Sequence, residues 1–78
     1  MIPGSTRKLA HTDSAVTPVN CMAIEAVGGA ATFTTLKEGG ATSPLQTSTL
    51  AEDEIWFSYN LTFTEIDLAS GTINYHMK

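Results

Sequence analysis

Met22-Ala23-Ile24-Glu25-Ala26-Val27-Gly28-Gly29-Ala30-Ala31-Thr32-Phe33 carries two strand-forming runs on either side of a glycine pair. The favoured two-residue hairpin turns need positive φ, which glycine adopts without a Cβ clash, so Gly28-Gly29 predicts such a turn. Folding about it sets Ala26 opposite Ala31, Ile24 opposite Phe33 and Met22 opposite Thr35. Glu25/Thr32 and Ala23/Thr34 fall on the reverse, so one face is apolar and the other polar. A second turn at Ser70-Gly71 behaves alike: Leu68 meets Ile73, Ile66 meets Tyr75 and Thr64 meets Met77. Asp67/Asn74 and Glu65/His76 then share the polar side. Two turns with sensible faces predict an all-β fold, a small antiparallel sandwich or barrel of five to six strands with an extended N-terminal arm.

Working outward, Ile55, Phe57, Tyr59, Leu61 and Phe63 repeat at strict period two and predict one long strand. After Phe63 the apolar parity flips to Ile66 and Leu68, which predicts a β-bulge near Thr64-Glu65. Twelve threonines favour strands, and no segment sustains a helical period. Lys37-Glu38-Gly39-Gly40 is a turn signal. Leu45 and Leu50 are expected to tack the Ser/Thr-rich connection at 41–50 onto the body or to form a short edge strand. Residues 1–15 read as the arm, with Leu9 its main apolar anchor, and residues 16–78 as a single β domain.

Seventy-eight residues allow one domain, and nine of the hydrophobic residues are alanines. One cysteine excludes an internal disulfide. A core this small is usually supported by association, so a homo-oligomer is expected. The formal charge of −4, with only Arg7, Lys8, Lys37 and Lys78 basic, argues against a nucleic-acid partner. No apolar run approaches the roughly 20 residues of a membrane-spanning helix. The first eight residues lack the apolar core of a signal peptide, and Cys21 is unpaired. Synthesis in a reducing cytoplasm is therefore expected.

Three groups of residues test for chemistry. His11-Thr12-Asp13-Ser14 has the residue types of a hydrolase triad, but neighbours on an extended segment diverge. A polar turn, with Asp13 accepting from nearby backbone amides, is the simpler reading. Cys21 reads as a small semi-buried thiol facing Leu36 rather than a nucleophile. His11, His76 and the run Glu52-Asp53-Glu54 lack metal-ligand spacing, and His76 opposite Glu65 reads as a cross-strand polar pair. Asn60-Leu61-Thr62 matches a glycosylation sequon by coincidence, inside a predicted strand. No catalytic, cofactor-binding or metal-ligating residue is therefore expected, and no cofactor. Trp56 stands out of phase with the Ile55/Phe57/Tyr59 row, so with that row in the core it faces outward, either as a binding anchor or covered by the 41–50 connection or the N-terminal arm.

Arg7-Lys8-Leu9-Ala10-His11-Thr12-Asp13-Ser14, Thr17-Pro18-Val19-Asn20-Cys21 and Val27-Gly28-Gly29-Ala30-Ala31-Thr32-Phe33 together resemble small tailed-bacteriophage virion proteins. Glu54-Ile55-Trp56-Phe57 and Leu68-Ala69-Ser70-Gly71-Thr72-Ile73 fit the same segment order. The resemblance implies a multimeric all-β accessory protein of capsid decoration, cement or spike-base type, located in the virion. It carries no active-site residue with it.

The expected function is a capsid cement protein, a homotrimer that strengthens the shell by binding across major capsid subunits. The alternative is a fibre or spike attachment module binding host glycans, which needs Trp56, Tyr59 or Tyr75 exposed around a groove. Ile2, Arg7, Lys8, Leu9 and Trp56 are the expected partner-interface residues. Deleting residues 1–9 is expected to weaken attachment while leaving the β body folded.

Overall fold

A computed structural model describes residues 6–58 and 62–78. Its strands are β1 (Thr6–Ala10), β2 (Cys21–Ala26), β3 (Thr32–Glu38), β4 (Ala41–Thr42), β5 (Ile55–Phe57), β6 (Phe63–Ser70) and β7 (Thr72–Met77). A 3-10 turn, Pro44–Thr47, follows β4. All strand pairings are antiparallel, in the order β1-β7-β2-β6-β3-β4, with β5 on β2. The fold is all-β, as expected.

The path divides into two parts. β1, β7, β2 and β5 form one, and β6, β3 and β4 the other. They join through the pair Cys21↔Phe63. In a flat sheet β1 and β6, three strands apart, would lie roughly 14 Å from each other. Here they come within 8 Å, and Val16, just after β1, bridges Ile66. The sheet therefore curls over its own core. Leu9, Ile24, Ile73 and Tyr75 from one part pack in one cluster with Phe33, Leu36, Ile66 and Leu68 from the other.

Both expected hairpins are corrected. β2 pairs with β7, β5 and β6, not β3, and β6 pairs with β3 and β2, not β7. The chain crosses the core at each glycine turn instead of doubling back within one sheet. A crossing buries the same alternate side chains as a hairpin, because strands on opposite sides of a core point them toward each other. Ile24, Ala26, Ala31, Phe33, Ile66, Leu68, Ile73 and Tyr75 are accordingly all buried.

The two crossings stack. Val27 N–H donates to Thr72 C=O at 3.0 Å, and Gly71 (φ 86°) lies beneath Ala30 and Ala31. A Cβ at Gly71 would sit 2.5 Å from the Ala30 carbonyl oxygen. Glycine is required there by space as well as by φ.

The expected bulge is present. Lys37 pairs with Glu65 and Glu38 with Phe63, which leaves Thr64 as the extra residue. Thr64 is used twice: its carbonyl accepts from Val19 N–H at 3.1 Å, and its hydroxyl accepts from Gly40 N–H at 3.0 Å. A second bulge, absent from the expectations, lies in β2, where Cys21 pairs with Met77 but Ala23 with His76. Met22 is the extra residue. It points outward, 38% exposed, reversing its expected face, while Ala23 stays on the Glu25 side as expected, buried beneath Phe57 and His76.

The arm is also corrected. Its residues Thr6–Ala10 are β1, laid along β7 from Thr6↔His76 to Ala10↔Thr72. Leu9 is 3% exposed in the chain's own core, so it is not free to fill a pocket on a partner. Deleting residues 1–9 would strip the sheet of a strand and the core of a leucine. The single long strand expected over 55–63 is divided: β5 lies on β2, and β6 starts at Phe63 on β3. Tyr59, Asn60 and Leu61, and so the first two residues of the sequon, lie outside the described residues, as does Ile2. Leu50 is fully buried and exchanges backbone hydrogen bonds with Ala31, and Leu45 packs against the core, as expected.

Candidate docking surface

β5 holds the largest exposed apolar groups among the described residues. Ile55 is 40% exposed and Phe57 is 56% exposed, with Met22 on the neighbouring strand. Trp56 between them is half-buried, its ring stacked on Phe33 with centroids 5.7 Å apart. The expected phase is therefore inverted: Trp56 turns in and the Ile55/Phe57 row turns out. Three consecutive large apolar residues do not set their own phase. The row that argued for Ile55 inward is not one strand: β5 ends at Phe57 and β6 begins at Phe63.

Two clefts flank this ridge. One of about 280 Å³ lies between Leu45, Ile55, Trp56 and Phe57. Another of about 180 Å³ is lined by Met22, Ala23, Ile55, Phe57 and His76. At the edge of the second, His76 Nδ1 hydrogen-bonds the Thr6 hydroxyl at 3.0 Å. Its Nε2 is buried 3.6 Å from Glu25 Oε1, too far for a hydrogen bond. His76 thus meets Thr6 and Glu25 rather than the expected Glu65, which pairs with Lys37 at 3.6 Å. The hairpin register that placed Glu65 beside His76 does not exist.

The acidic run Glu52-Asp53-Glu54 forms the exposed turn leading into β5. Asp53 takes φ 65°, and Glu54 Oε1 accepts from Ala51 N–H at 2.9 Å. Arg7 and Lys8 are exposed on β1. A further hollow of about 340 Å³ opens beside Arg7, between residues 15–19 and Tyr75 and Met77.

The groups tested for catalysis are occupied structurally. Asp13 Oδ2 accepts from Ala10 N–H at 2.9 Å, the polar turn expected of that segment, and His11 Nδ1 lies 3.3 Å from the Gly71 carbonyl. Cys21 is fully buried against Phe63 and Met77 partners rather than Leu36, and its thiol donates to Ala23 C=O at 3.0 Å. Burial pushes the thiol up to about 11, so the nucleophilic thiolate is scarce at neutral pH. Glu38 accepts from Ser43 at 2.6 Å and from Ser58 at 2.9 Å, which ties the Pro44–Thr47 turn to β3.

No known protein family, curated protein or solved structure matches this chain. The fold defines an all-β antiparallel module, and its own surface is the ground for a functional reading.

Proposed function

We propose that this protein is a non-catalytic assembly module of a virion, of the capsid cement or decoration type, working as a homotrimer. The observation that carries the reading is the exposed Met22–Ile55–Phe57 ridge on an edge strand, bordered by charge. A soluble β body gains nothing from displaying two large apolar side chains on an edge strand unless something covers them. The tailed-phage resemblance supplies the setting: many copies on a shell, each adding buried area between major capsid subunits. Arg7 and Lys8, exposed on β1, suit contact with an acidic surface.

The glycan-binding alternative loses ground on two residues, since Tyr75 is 7% exposed and Trp56 is stacked on Phe33. The test is density-gradient sedimentation of tailed-phage particles from cells expressing the tagged chain, followed by mass spectrometry of the particle band. Many copies per particle are expected. A chain that stays at the top of the gradient, bound to a soluble protein, would overturn the reading.

A further inference from the structure

We propose that copies of this chain join head to tail, the β1 edge of one adding as a strand to the β5 edge of the next. The inference rests on the assembly reading above and names the occupant of the ridge: β1 of a second copy.

Backbone geometry is the first ground. On β5, Glu54 C=O accepts from Ala26 at 3.3 Å, and Ser58 N–H donates to Met22 at 3.0 Å. Antiparallel strands alternate the direction of their backbone groups, so Ile55 and Phe57 aim theirs away from β2. On β1, His11 N–H donates to Gly71 C=O at 2.9 Å. By the same alternation Arg7 and Leu9 face β7, while Thr6, Lys8 and Ala10 face away. Ala10 is satisfied within the chain, since its N–H donates to Asp13 Oδ2 and its C=O accepts from Asp13 N–H, both at 2.9 Å. Thr6 and Lys8 therefore offer one edge, and Ile55 and Phe57 offer another with the same two-residue spacing.

Register is the second ground. Thr6, His76, Ala23 and Phe57 form one row across β1, β7, β2 and β5. Arg7, Tyr75, Ile24 and Trp56 form the next, and Lys8, Asn74, Glu25 and Ile55 the third. Three successive antiparallel pairings make β1 run opposite to β5. A second copy's β1 placed beyond β5 is therefore antiparallel to it. With its Thr6 against Phe57 and its Lys8 against Ile55, every row continues unbroken into the second copy.

Charge selects this arrangement over its rivals. Arg7 and Lys8 are two of the four basic residues, and Glu52-Asp53-Glu54 immediately precede Ile55. Two β5 edges facing each other would bring two acidic runs together, and two β1 edges would oppose four cations. Only the head-to-tail contact sets basic against acidic, which steers association and fixes orientation. In it, the Lys8 stem lies across Ile55 with its ammonium directed toward Glu25, an ordinary use of a long charged side chain. The contact is heterologous and closes into a ring when the rotation between copies permits.

The test is sedimentation velocity on the full chain. The wild type is expected as a multimer of its 8.3 kDa mass. Arg7→Glu/Lys8→Glu and Phe57→Lys, all at exposed positions, are each expected to give monomers with unchanged far-UV circular dichroism. A 1:1 mixture of the two variants is expected to recover dimers, because each retains the edge that the other has lost. About 1 M salt, where screening acts within roughly 3 Å, is expected to weaken the wild-type multimer. A monomeric wild type overturns the inference. So does an Arg7→Glu/Lys8→Glu variant of wild-type mass, or a mixture that stays monomeric. A wild-type multimer that behaves as described but never enters particles removes the virion reading and leaves this contact standing.

Discussion

The two parts of this sheet end differently. The β6-β3-β4 part is sealed by its own chain: beyond β4, Leu36 C=O accepts from Ser43 N–H at 2.8 Å, and its N–H donates to Gln46 Oε1 at 3.0 Å. Ser43 binds Glu38 and also caps the Pro44–Thr47 turn by accepting from Leu45 N–H at 3.1 Å. Among the described residues the β1-β7-β2-β5 part has no such cover at β5, where apolar side chains stand beside outward-facing backbone groups. A chain that closes one edge with three side chains, yet leaves another open and apolar, distinguishes a finished surface from one meant to be covered.

The largest expected effect lies at the core shared by the two parts. Ile24 is fully buried, and Ile24→Asp leaves a carboxylate there without a partner, at a cost above about 4 kcal/mol. Heating the variant should show no cooperative transition, and a native-like melt would mean that the core is not shared as described. Next comes Gly71→Ala, where a Cβ meets the Ala30 carbonyl and φ is positive. A loss of about 2–4 kcal/mol is expected by urea titration. A loss near zero would mean that the two crossings are free to separate.

Ser43→Ala unseals the closed edge and leaves part-buried Glu38 short of a donor. About 1–2 kcal/mol should be lost, with new concentration-dependent association at the β3–β4 edge. Unchanged stability together with an unchanged sedimentation coefficient would make the seal ornamental. The smallest effect is one of pH. The Cys21 thiol is pushed from 9.0 up to about 11 in the folded chain, so the folded state holds its proton more tightly than the unfolded one. Its stabilising contribution is complete below pH 9 and is lost as pH rises toward 11. Wild-type Tm should fall over that window more steeply than that of Cys21→Ala, and parallel curves would place the alkaline loss elsewhere.

The fold class was legible because alternation reports which side chains go inside. The pairing was not, because Gly28-Gly29 and Ser70-Gly71 serve a crossing as well as a hairpin, and both bury Ile24 with Phe33 and Leu68 with Ile73. The Thr64 bulge was legible from a parity flip between large residues. The Met22 bulge was not, since Met22 is as apolar as the core residues it was read with, and nothing in the sequence marks where the register against β7 shifts. At the docking surface, the charge of Arg7, Lys8 and the acidic run stood plainly in the sequence. The phase of Ile55-Trp56-Phe57 did not, because it depends on Phe33 offering a ring to stack on.

The row that joins Thr6 to His76 sets an order of events as well as a shape. β1 is made before β7, its strand partner among the described residues, and the two meet across 70 residues of sequence. A fold built on such distant pairings, with both glycine turns delivering the chain to the far side of the core, closes its loops before it gains its contacts. Such chains fold in milliseconds to seconds rather than microseconds. During synthesis Leu9 emerges long before Ile73, its partner across β1 and β7, so the core on this side waits for the last-made of its strands.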